Sequence, residues 1–227
     1  MENAPMVAQA IADYTGKTKG ELREMSAEGT ISADITAKSI TGTSVTRYYD
    51  STTNVTVTLN NVESIDSSNV SLSGFMANKL VGTGKTVTGS LEGDASSNYS
   101  LSSISTVTIS AKIITGAGVN KIYDSSTYAD ISLNNVEVGD TVAVTGNFNN
   151  RDVASNKSIT ANALTGTDAS NYSLSSVSNA NITTKSITGT STNRIYDRTT
   201  NVTITLNNVE ASDISNVTLS GSMTDKL

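Results

Sequence analysis

The amino-acid sequence predicts a mainly β protein, made of tandem small antiparallel β domains that follow a short α-helical N-terminal segment. Two observations predict this class. Apolar residues alternate with Ser, Thr and Asn over much of the chain, and a segment of about 74 residues recurs along it. A third observation limits the size of the hydrophobic core. Only 4% of the 227 residues are aromatic and Trp is absent, so we expect several thin sheets rather than one large core.

Residues 1–32 stand apart from the repeats and are expected to be helical. Gly16 is expected to end a first helix, and Thr18 with Glu21 has the spacing of a capping box that opens a second. The first helix would place these apolar side chains on one face: Met6, Val7, Ala10, Ile11 and Tyr14. Two short helices can form a helix-turn-helix, but acidic residues outnumber basic ones here, and a DNA-binding segment needs the reverse.

Three markers define the repeats that follow. Tyr49-Asp50, Tyr123-Asp124 and Tyr196-Asp197 lie 74 and 73 residues apart, and each pair is followed by Asn-Asn-Val-Glu. Asn-Tyr-Ser-Leu-Ser-Ser begins at Asn98 and again at Asn171. We therefore predict repeat 1 at 33–110, repeat 2 at 111–184 and a truncated repeat 3 at 185–227. Because half a repeat cannot close its own core, we expect that this sequence is a fragment or that the natural chain continues.

Within each repeat the apolar residues have the period of a half-buried strand. Val55, Val57 and Leu59 alternate with Thr, and Val70 with Leu72 does the same before Gly74. Later strands are indicated by these pairs: Val87 with Leu91, Tyr99 with Leu101, and Val107 with Ile109. About six strands in a repeat indicate an immunoglobulin-like sandwich or a β-grasp-like sheet, and we favour the sandwich.

The order of short motifs resembles the YDG-type repeat of large bacterial adhesins, including filamentous-haemagglutinin-like exoproteins. The motifs are the Tyr-Asp pairs, residues 81–87 (Val-Gly-Thr-Gly-Lys-Thr-Val), and Gly93-Asp94-Ala95 leading to Asn98-Tyr99. The resemblance covers about residues 33–227 and implies an extracellular, all-β module that forms a stalk. One departure concerns the Gly after Tyr-Asp, which is Ser51, Ser125 or Arg198 here, so the sequence puts a positive φ at that position in doubt. In repeat 2, Ala154-Ser155-Asn156 also replaces the Gly-Thr-Gly of repeat 1.

A second resemblance is confined to the first thirty residues. The stretch from Val7 through Tyr14-Thr15-Gly16 to Glu28-Gly29 is similar to part of the N-terminal region of phage tail tape-measure proteins. It implies that a phage-derived helical piece is joined to adhesin repeats.

The residue types present argue against an enzyme. The chain has no Cys and no His, which removes thiolate nucleophiles, disulfides, a Ser-His-Asp triad and the commonest zinc ligands. We therefore predict no catalytic, cofactor-binding or metal-binding residues and no cofactor. A net charge of −6 with scattered basic residues argues against nucleic acid, and no apolar run is long enough for membrane insertion.

Two sets of repeated residues could still be read as sites. The Tyr-Asp pairs could display a ligand contact, but recurrence in every repeat favours a packed Tyr and an Asp that caps a turn. Loop carboxylates could bind calcium, but no Asp-x-Asp-x-Asp run brings enough oxygens together, so we assign no ligands to Asp66, Asp94, Asp140, Asp168 or Asp213. The Gly-Lys-Thr within Gly82–Thr86 lacks the first Gly of a phosphate-binding loop, because position 79 is Lys79.

These observations favour structural stalk or spacer repeats of a bacterial cell-surface or secreted adhesin, which hold a binding region away from the cell. The expected location is extracellular, although residues 1–5 have no signal-peptide character. Two alternatives remain open: a repeat face that binds a host glycan or protein directly, and a phage tail component. Any host partner would be bound through the parent adhesin.

Overall fold

The computed structural model describes residues 12–14, 16–18, 20–21, 24 and 35–225. Near the N-terminus, residues 12–14 are helical and Gly16 has a φ of 68°, as a helix-ending glycine does. The capping box is confirmed, because the Thr18 N–H donates to Glu21 Oε2 at 2.7 Å and the Glu21 N–H donates to Thr18 Oγ1 at 3.2 Å. Of the apolar face predicted for the first helix, Tyr14 is exposed, and Met6, Val7, Ala10 and Ile11 lie outside the described residues.

The remaining described chain is mainly β, as predicted. Repeat 1 contains β1 (Lys38–Ser44), β2 (Arg47–Tyr48), β3 (Asn54–Asn60), β4 (Ser71–Met76), β5 (Gly82–Lys85), β6 (Val87–Glu92), β7 (Tyr99–Ile104) and β8 (Val107–Ser110). Repeat 2 contains β9 (Lys112–Gly118), β10 (Lys121–Ile122), β11 (Tyr128–Asn134), β12 (Thr145–Phe148), β13 (Ala154–Lys157), β14 (Ile159–Ala161), β15 (Tyr172–Ser178) and β16 (Ala180–Thr183). Repeat 3 contains β17 (Thr188–Ser191), β18 (Asn201–Val202), β19 (Ile204–Asn207) and β20 (Gly221–Ser222). Short 3₁₀ turns cover Ser64–Asp66, Ser96–Asn98 and Ala169–Asn171.

Each complete repeat therefore has more strands than the six expected. The additional ones include β2, which has only two residues, and the Gly-rich β5. Neither is long or apolar enough to show an alternating pattern, and this is why the sequence did not reveal them. Among the described residues, no helix has the length and apolar character that a membrane crossing requires.

Repeat 2 shows the topology most clearly. One sheet has the strand order β14-β12-β11-β9-β15 and a smaller one has the order β10-β16-β13, and repeat 1 has the same two orders, β6-β4-β3-β1-β7 and β2-β8-β5. A core cluster joins the two sheets of repeat 2 and contains Ala129, Phe148, Ala180 and Ile182. Side chains of both sheets of repeat 2 therefore meet in one core.

The sheets contain parallel pairs as well as the antiparallel pairs expected. In repeat 2, β9 is antiparallel to β11 but parallel to β15, and β10 is parallel to β16. The first and last long strands of the repeat are thus neighbours that run in one direction. After β15, the chain ends repeat 2 with β16 in the smaller sheet.

By packing, the chain divides into two compact units. The first comprises Met1–Gly42, Leu59–Leu72 and Leu91–Ser103, and the second Thr43–Thr58, Ser73–Ser90 and Ile104–Leu227. The first unit has a core of Ile40, Val70, Ala95 and Tyr99. In the second unit, the largest core contains residues of repeats 1 and 2 together: Tyr49, Val55, Met76, Val87, Val107, Ile109, Ile114 and Tyr172. Part of repeat 1 is therefore completed by side chains of repeat 2.

Candidate functional site

Tyr49 of the first Tyr-Asp pair lies where repeat 1 meets repeat 2. Its N–H donates to the Ser110 carbonyl at 2.8 Å, which extends the parallel pairing of β2 with β8. This bond fixes the backbone so that the ring enters the shared core, where Tyr49 is only 1% exposed. Burial of a Tyr requires a partner for its hydroxyl group, and that partner comes from the next repeat.

The partner is Asp140, three residues after the Asn-Asn-Val-Glu of repeat 2. Its side chain is 2% exposed. Oδ2 accepts hydrogen bonds from the Tyr49 hydroxyl at 2.7 Å and the Tyr172 hydroxyl at 2.6 Å. Oδ1 accepts from Lys79 Nζ at 2.8 Å and Ser51 Oγ at 3.3 Å. We call these five residues the Asp140 junction; three of them belong to repeat 1 and two to repeat 2.

The other groups of the Asp140 junction also satisfy one another. The rings of Tyr49 and Tyr172 meet edge to face, with centroids 5.4 Å apart, and Lys79 Nζ lies 5.7 Å from the centre of the Tyr49 ring. Lys79 also donates to Ser51 Oγ at 2.8 Å, and the Tyr172 hydroxyl accepts from the Glu137 N–H at 3.0 Å. A buried polar network stabilises a fold when its members are paired in this way.

The pKa values show which charges the junction favours. Burial alone would raise the pKa of Asp140, but hydrogen bonds from Lys79, Tyr172 and Tyr49 outweigh it and lower the pKa to about 2. The pKa of Lys79 is raised, chiefly by its hydrogen bond to Asp140. Burial, followed by the hydrogen bond to Asp140, raises the pKa of Tyr172. At neutral pH these shifts favour a carboxylate at Asp140, an ammonium at Lys79 and a neutral phenol at Tyr172.

Part of this arrangement recurs where repeat 2 meets repeat 3, because a Tyr and a base of repeat 2 contact the carboxylate of repeat 3. Tyr123 takes the place of Tyr49, and its hydroxyl donates to Asp213 Oδ2 at 2.6 Å. Arg151, which aligns with Lys79, supplies the cation, with its Nη2 3.3 Å from Asp213 Oδ1. The hydrogen bond from Tyr123 is the main cause that lowers the pKa of Asp213. The base differs between the two junctions, but its charge and position do not.

The equivalent position in repeat 1 shows the half of the network that lies within one repeat. The Tyr99 hydroxyl donates to Asp66 Oδ2 at 2.8 Å and accepts from the Glu63 N–H at 3.1 Å, as Tyr172 does with Asp140 and Glu137. In the part of the chain that the structure describes, Asp66 has no ion pair. Asp66 therefore provides an internal reference for what the preceding repeat adds to Asp140.

The comparison with protein families agrees with this repeat structure. A family model described as the YDG domain matches residues 32–108 and again residues 106–181. The chain belongs to the YDG domain family. Neither the curated proteins nor the solved structures gave a match.

In these YDG repeats, the Asp of each Tyr-Asp pair forms the turn that the sequence predicted. Asp50 Oδ1 accepts from the Thr52 N–H at 2.9 Å and from its hydroxyl at 2.8 Å, and Asp124 and Asp197 repeat this bond two residues ahead. A base three residues before each Asp adds an ion pair, from Arg47, Lys121 and Arg194. Tyr49 and Tyr123 thus face the two junctions, and the Asp of each pair holds the turn beside its Tyr.

The positive φ that the missing glycines put in doubt is present. Ser51, Ser125 and Arg198 have φ values of 62°, 62° and 70°. The turn is fixed by the Asp hydrogen bonds on either side of this position, so a residue with a side chain is held in a conformation that glycine would adopt more easily. The replacement of Gly84 by Asn156 in repeat 2 causes less strain. Asn156 has a φ of 53° and Gly84 a φ of 62°, and Asn tolerates this left-handed conformation.

The remaining candidate residues are not brought together. Asp168 accepts from the Thr141 N–H at 2.9 Å within its own repeat, and Asp94 is exposed. Gly82–Lys85 is strand β5, which pairs with β8, so no helix N-terminus follows the Gly-Lys-Thr sequence. Among the described residues, no three acidic side chains gather in a way that could hold a metal ion.

Sequence reasoning missed Lys79 and Arg151, and it noted Asp140 and Asp213 only as loop carboxylates. One signal was available. An Asp stands three residues after Asn-Asn-Val-Glu in every repeat, and a base occupies the aligned position 79 or 151 in both complete repeats. The missing information was that these two positions meet across consecutive repeats.

Proposed function

We propose that this chain is a run of structural stalk repeats from a bacterial surface or secreted adhesin, in which reach is set by the number of repeats. The observation that carries the proposal is the core shared by repeats 1 and 2, closed by the Asp140 junction. A repeat that needs side chains of its neighbour to complete its core is coupled to that neighbour. The adhesin context rests on the order of the YDG motifs along the chain.

We also propose that the repeats carry out no chemistry. Asp140, whose pKa is strongly lowered, has its near polar neighbours engaged in one closed network, and its side chain is almost inaccessible to solvent. A general acid or base must reach a substrate atom within hydrogen-bond distance, and Asp140 has no accessible face for one. The repeated Tyr, Asp and Lys residues are better explained as contacts that hold consecutive repeats together.

A distance measurement between repeats tests the stalk role. Thr86 and Ser158 are exposed, occupy equivalent positions in repeats 1 and 2, and stand in a chain that has no cysteine. Spin labels on Thr86→Cys and Ser158→Cys should give one narrow distance distribution by double electron–electron resonance. Adding Asp140→Asn should broaden it. A broad distribution in the chain without Asp140→Asn would refute the stalk, because repeats that pivot freely do not set a fixed reach.

The surface location and the binding of the host partner outside these repeats need separate measurements. We expect the parent protein to be labelled on intact cells by an antibody against this chain, and labelling only after permeabilisation would contradict a surface location. The host glycan or protein that the parent adhesin recognises would be bound outside these repeats, so this chain alone should not block adhesion in competition assays.

A further inference from the structure

Two segments of repeat 2 lie side by side and run in the same direction. The leading segment, residues 112–123, contains β9 and β10, and the trailing segment, residues 172–183, contains β15 and β16. β9 is parallel to β15 in the larger sheet, and β10 is parallel to β16 in the smaller one. Both segments belong to the second unit. The first and last parts of the repeat are therefore paired in both sheets.

The register shows how the ends of the two segments are arranged. Lys112 is opposite Tyr172 at one end of the pair, and Ile122 is opposite Thr183 at the other. At this second end the Tyr123 N–H also donates to the Thr183 carbonyl at 2.9 Å. The chain therefore comes into the pair at the Tyr172 end and goes out of it at the Tyr123 end. Tension on the chain at these two points pulls the segments lengthwise past each other.

A side-chain hydrogen bond joins the segments where their backbone pairing is irregular. The register shifts between Leu174 and Ser176, so that Ser175 has no opposite residue on β9. The Ser175 hydroxyl instead donates to the Ile114 carbonyl at 3.1 Å. The irregularity therefore leaves the two segments connected.

Two further side chains connect the segments where the chain passes from the larger sheet to the smaller one. The Gly118 N–H, at the end of β9, donates to Ser178 Oγ at 3.3 Å. The Asn181 N–H, near the start of β16, donates to Asn120 Oδ1 at 2.7 Å. Hydrogen bonds thus link the segments between the two ladders as well as within them.

The two segments also contribute buried side chains to both cores of the second unit. Ile114 and Tyr172 belong to the core shared by repeats 1 and 2, and Ala180 and Ile182 belong to the core of repeat 2. All four are less than 7% exposed. Burial keeps water from replacing the neighbouring hydrogen bonds one at a time, and it strengthens each bond electrostatically.

The part of repeat 1 that lies in the second unit shows the same pattern. β2 is parallel to β8, and the Tyr49 N–H extends this pairing to Ser110. Ser44 and Ser105, which align with Gly118 and Ser178, are joined by two hydrogen bonds: the Ser44 N–H donates to Ser105 Oγ at 2.8 Å, and Ser44 Oγ donates to the Ser105 carbonyl at 2.7 Å. The connection between leading and trailing segments is therefore a recurring feature.

We propose that these paired segments make repeat 2 a tension-bearing element, which resists a force that pulls its two ends apart. The hydrogen bonds of a β-ladder lie across the strands, so a load along the strands is shared by all the bonds at once. A load that separates the strands from one end breaks the same bonds one after another, and a lower force is enough. Forced unfolding is governed by the unfolding rate, so this resistance is a kinetic property. The proposal rests on the strand pairing and does not depend on the stalk role.

Pulling the whole chain in two directions tests the proposal. The chain has no cysteine, and Ser110, Ser170 and Thr184 are exposed, so cysteines at these positions can attach it to the two beads of an optical trap. Ser110→Cys with Thr184→Cys loads the segments lengthwise. Ser110→Cys with Ser170→Cys opens the same pair from its Tyr172 end. Unfolding of repeat 2 is recognised by the released length, at most about 3.6 Å for each residue between the attachment points.

At the same loading rate, we expect the rupture force to be severalfold higher under the lengthwise load than under the opening load. Equal forces in the two directions, or a higher force for opening, would overturn the proposal. This result is separate from the stalk role, because a broad distance distribution between spin labels would refute the stalk and leave the force comparison unchanged.

One substitution tests whether the load is shared along the whole pair. Asn120→Ala removes the acceptor of the Asn181 N–H, which lies away from the Tyr172 end where opening begins. It should lower the lengthwise rupture force and leave the opening force unchanged. Asn149→Ala is the matched control, because Asn149 is exposed, lies outside both segments, and forms no side-chain hydrogen bond within the described chain. An equal fractional loss in the two directions, or the same loss in Asn149→Ala, would contradict a load shared by these bonds.

Discussion

The charge of Asp140 provides the sharpest test of how the repeats are held together. Asp140→Asn keeps the shape of the side chain and an acceptor oxygen, but it removes the negative charge that Lys79 faces. Lowering the pKa of Asp140 from 3.8 to about 2 corresponds to about 2 kcal/mol at neutral pH. We expect the variant to lose about that much stability. The loss stays below the ~3–5 kcal/mol of a fully buried pair because Lys79 is 34% exposed and can turn to water.

Hydrogen exchange measured by mass spectrometry at neutral pH can locate this loss. A destabilisation of about 2 kcal/mol should speed exchange roughly thirtyfold in the parts of repeat 1 that contribute to the shared core, residues 43–58 and 73–90. Asp66→Asn is the matched control, with the same chemical change at the same repeat position. Since Asp66 faces no cation among the described residues, its variant should lose less than about 1 kcal/mol. Equal losses in the two variants would refute the junction as the source of the stability.

The remaining predictions concern pH and backbone conformation. Because folding lowers the pKa of Asp140, its contribution to the free energy of unfolding is full above pH 3.8 and is lost as the pH falls towards 2. The melting temperature of the unchanged chain should therefore fall over this pH range, and that of Asp140→Asn should fall less steeply. Parallel curves of melting temperature against pH would contradict this. Ser125→Gly should raise the free energy of unfolding by about 0.5–1 kcal/mol in urea titrations, because glycine adopts a positive φ without strain. Ser51→Gly should gain nothing, because it also loses the hydrogen bonds of Ser51 with Asp140 and Lys79. Equal gains in the two variants would be inconsistent with a role of Ser51 in the Asp140 junction. Gly166→Ala should lower the free energy of unfolding by about 3 kcal/mol or more, because φ is 112° and a Cβ would lie 2.3 Å from the Thr141 carbonyl oxygen. A melting temperature within a degree of that of the unchanged chain would contradict the conformation of this loop.

Much of the fold followed from local patterns in the chain. Val55, Val57 and Leu59 alternate with Thr, and they form β3 as expected. The capping box at Thr18 and Glu21 and the turn at Asp50 also formed, because each depends only on residues two or three positions apart. Such features need no knowledge of the rest of the molecule.

Features that depend on distant residues were not predicted. The parallel pairing of β9 with β15 joins segments about sixty residues apart, and alternation looks the same in parallel and antiparallel neighbours when one face is exposed. The positive φ at Ser51 was doubted because glycine was missing, yet the surrounding hydrogen bonds impose it. Here the local preference was overridden by its context.

The sequence by itself determined the repeat, the strand period, the turns and membership of the YDG class of motifs, because each is written in residues that are close together or copied at a fixed interval. Only the tertiary structure decided that Tyr49 and Lys79 of one repeat meet Asp140 of the next. That contact joins positions 91 and 61 residues apart. It exists because the shared core places both repeats around one buried carboxylate, and no local pattern in the chain specifies which carboxylate that is.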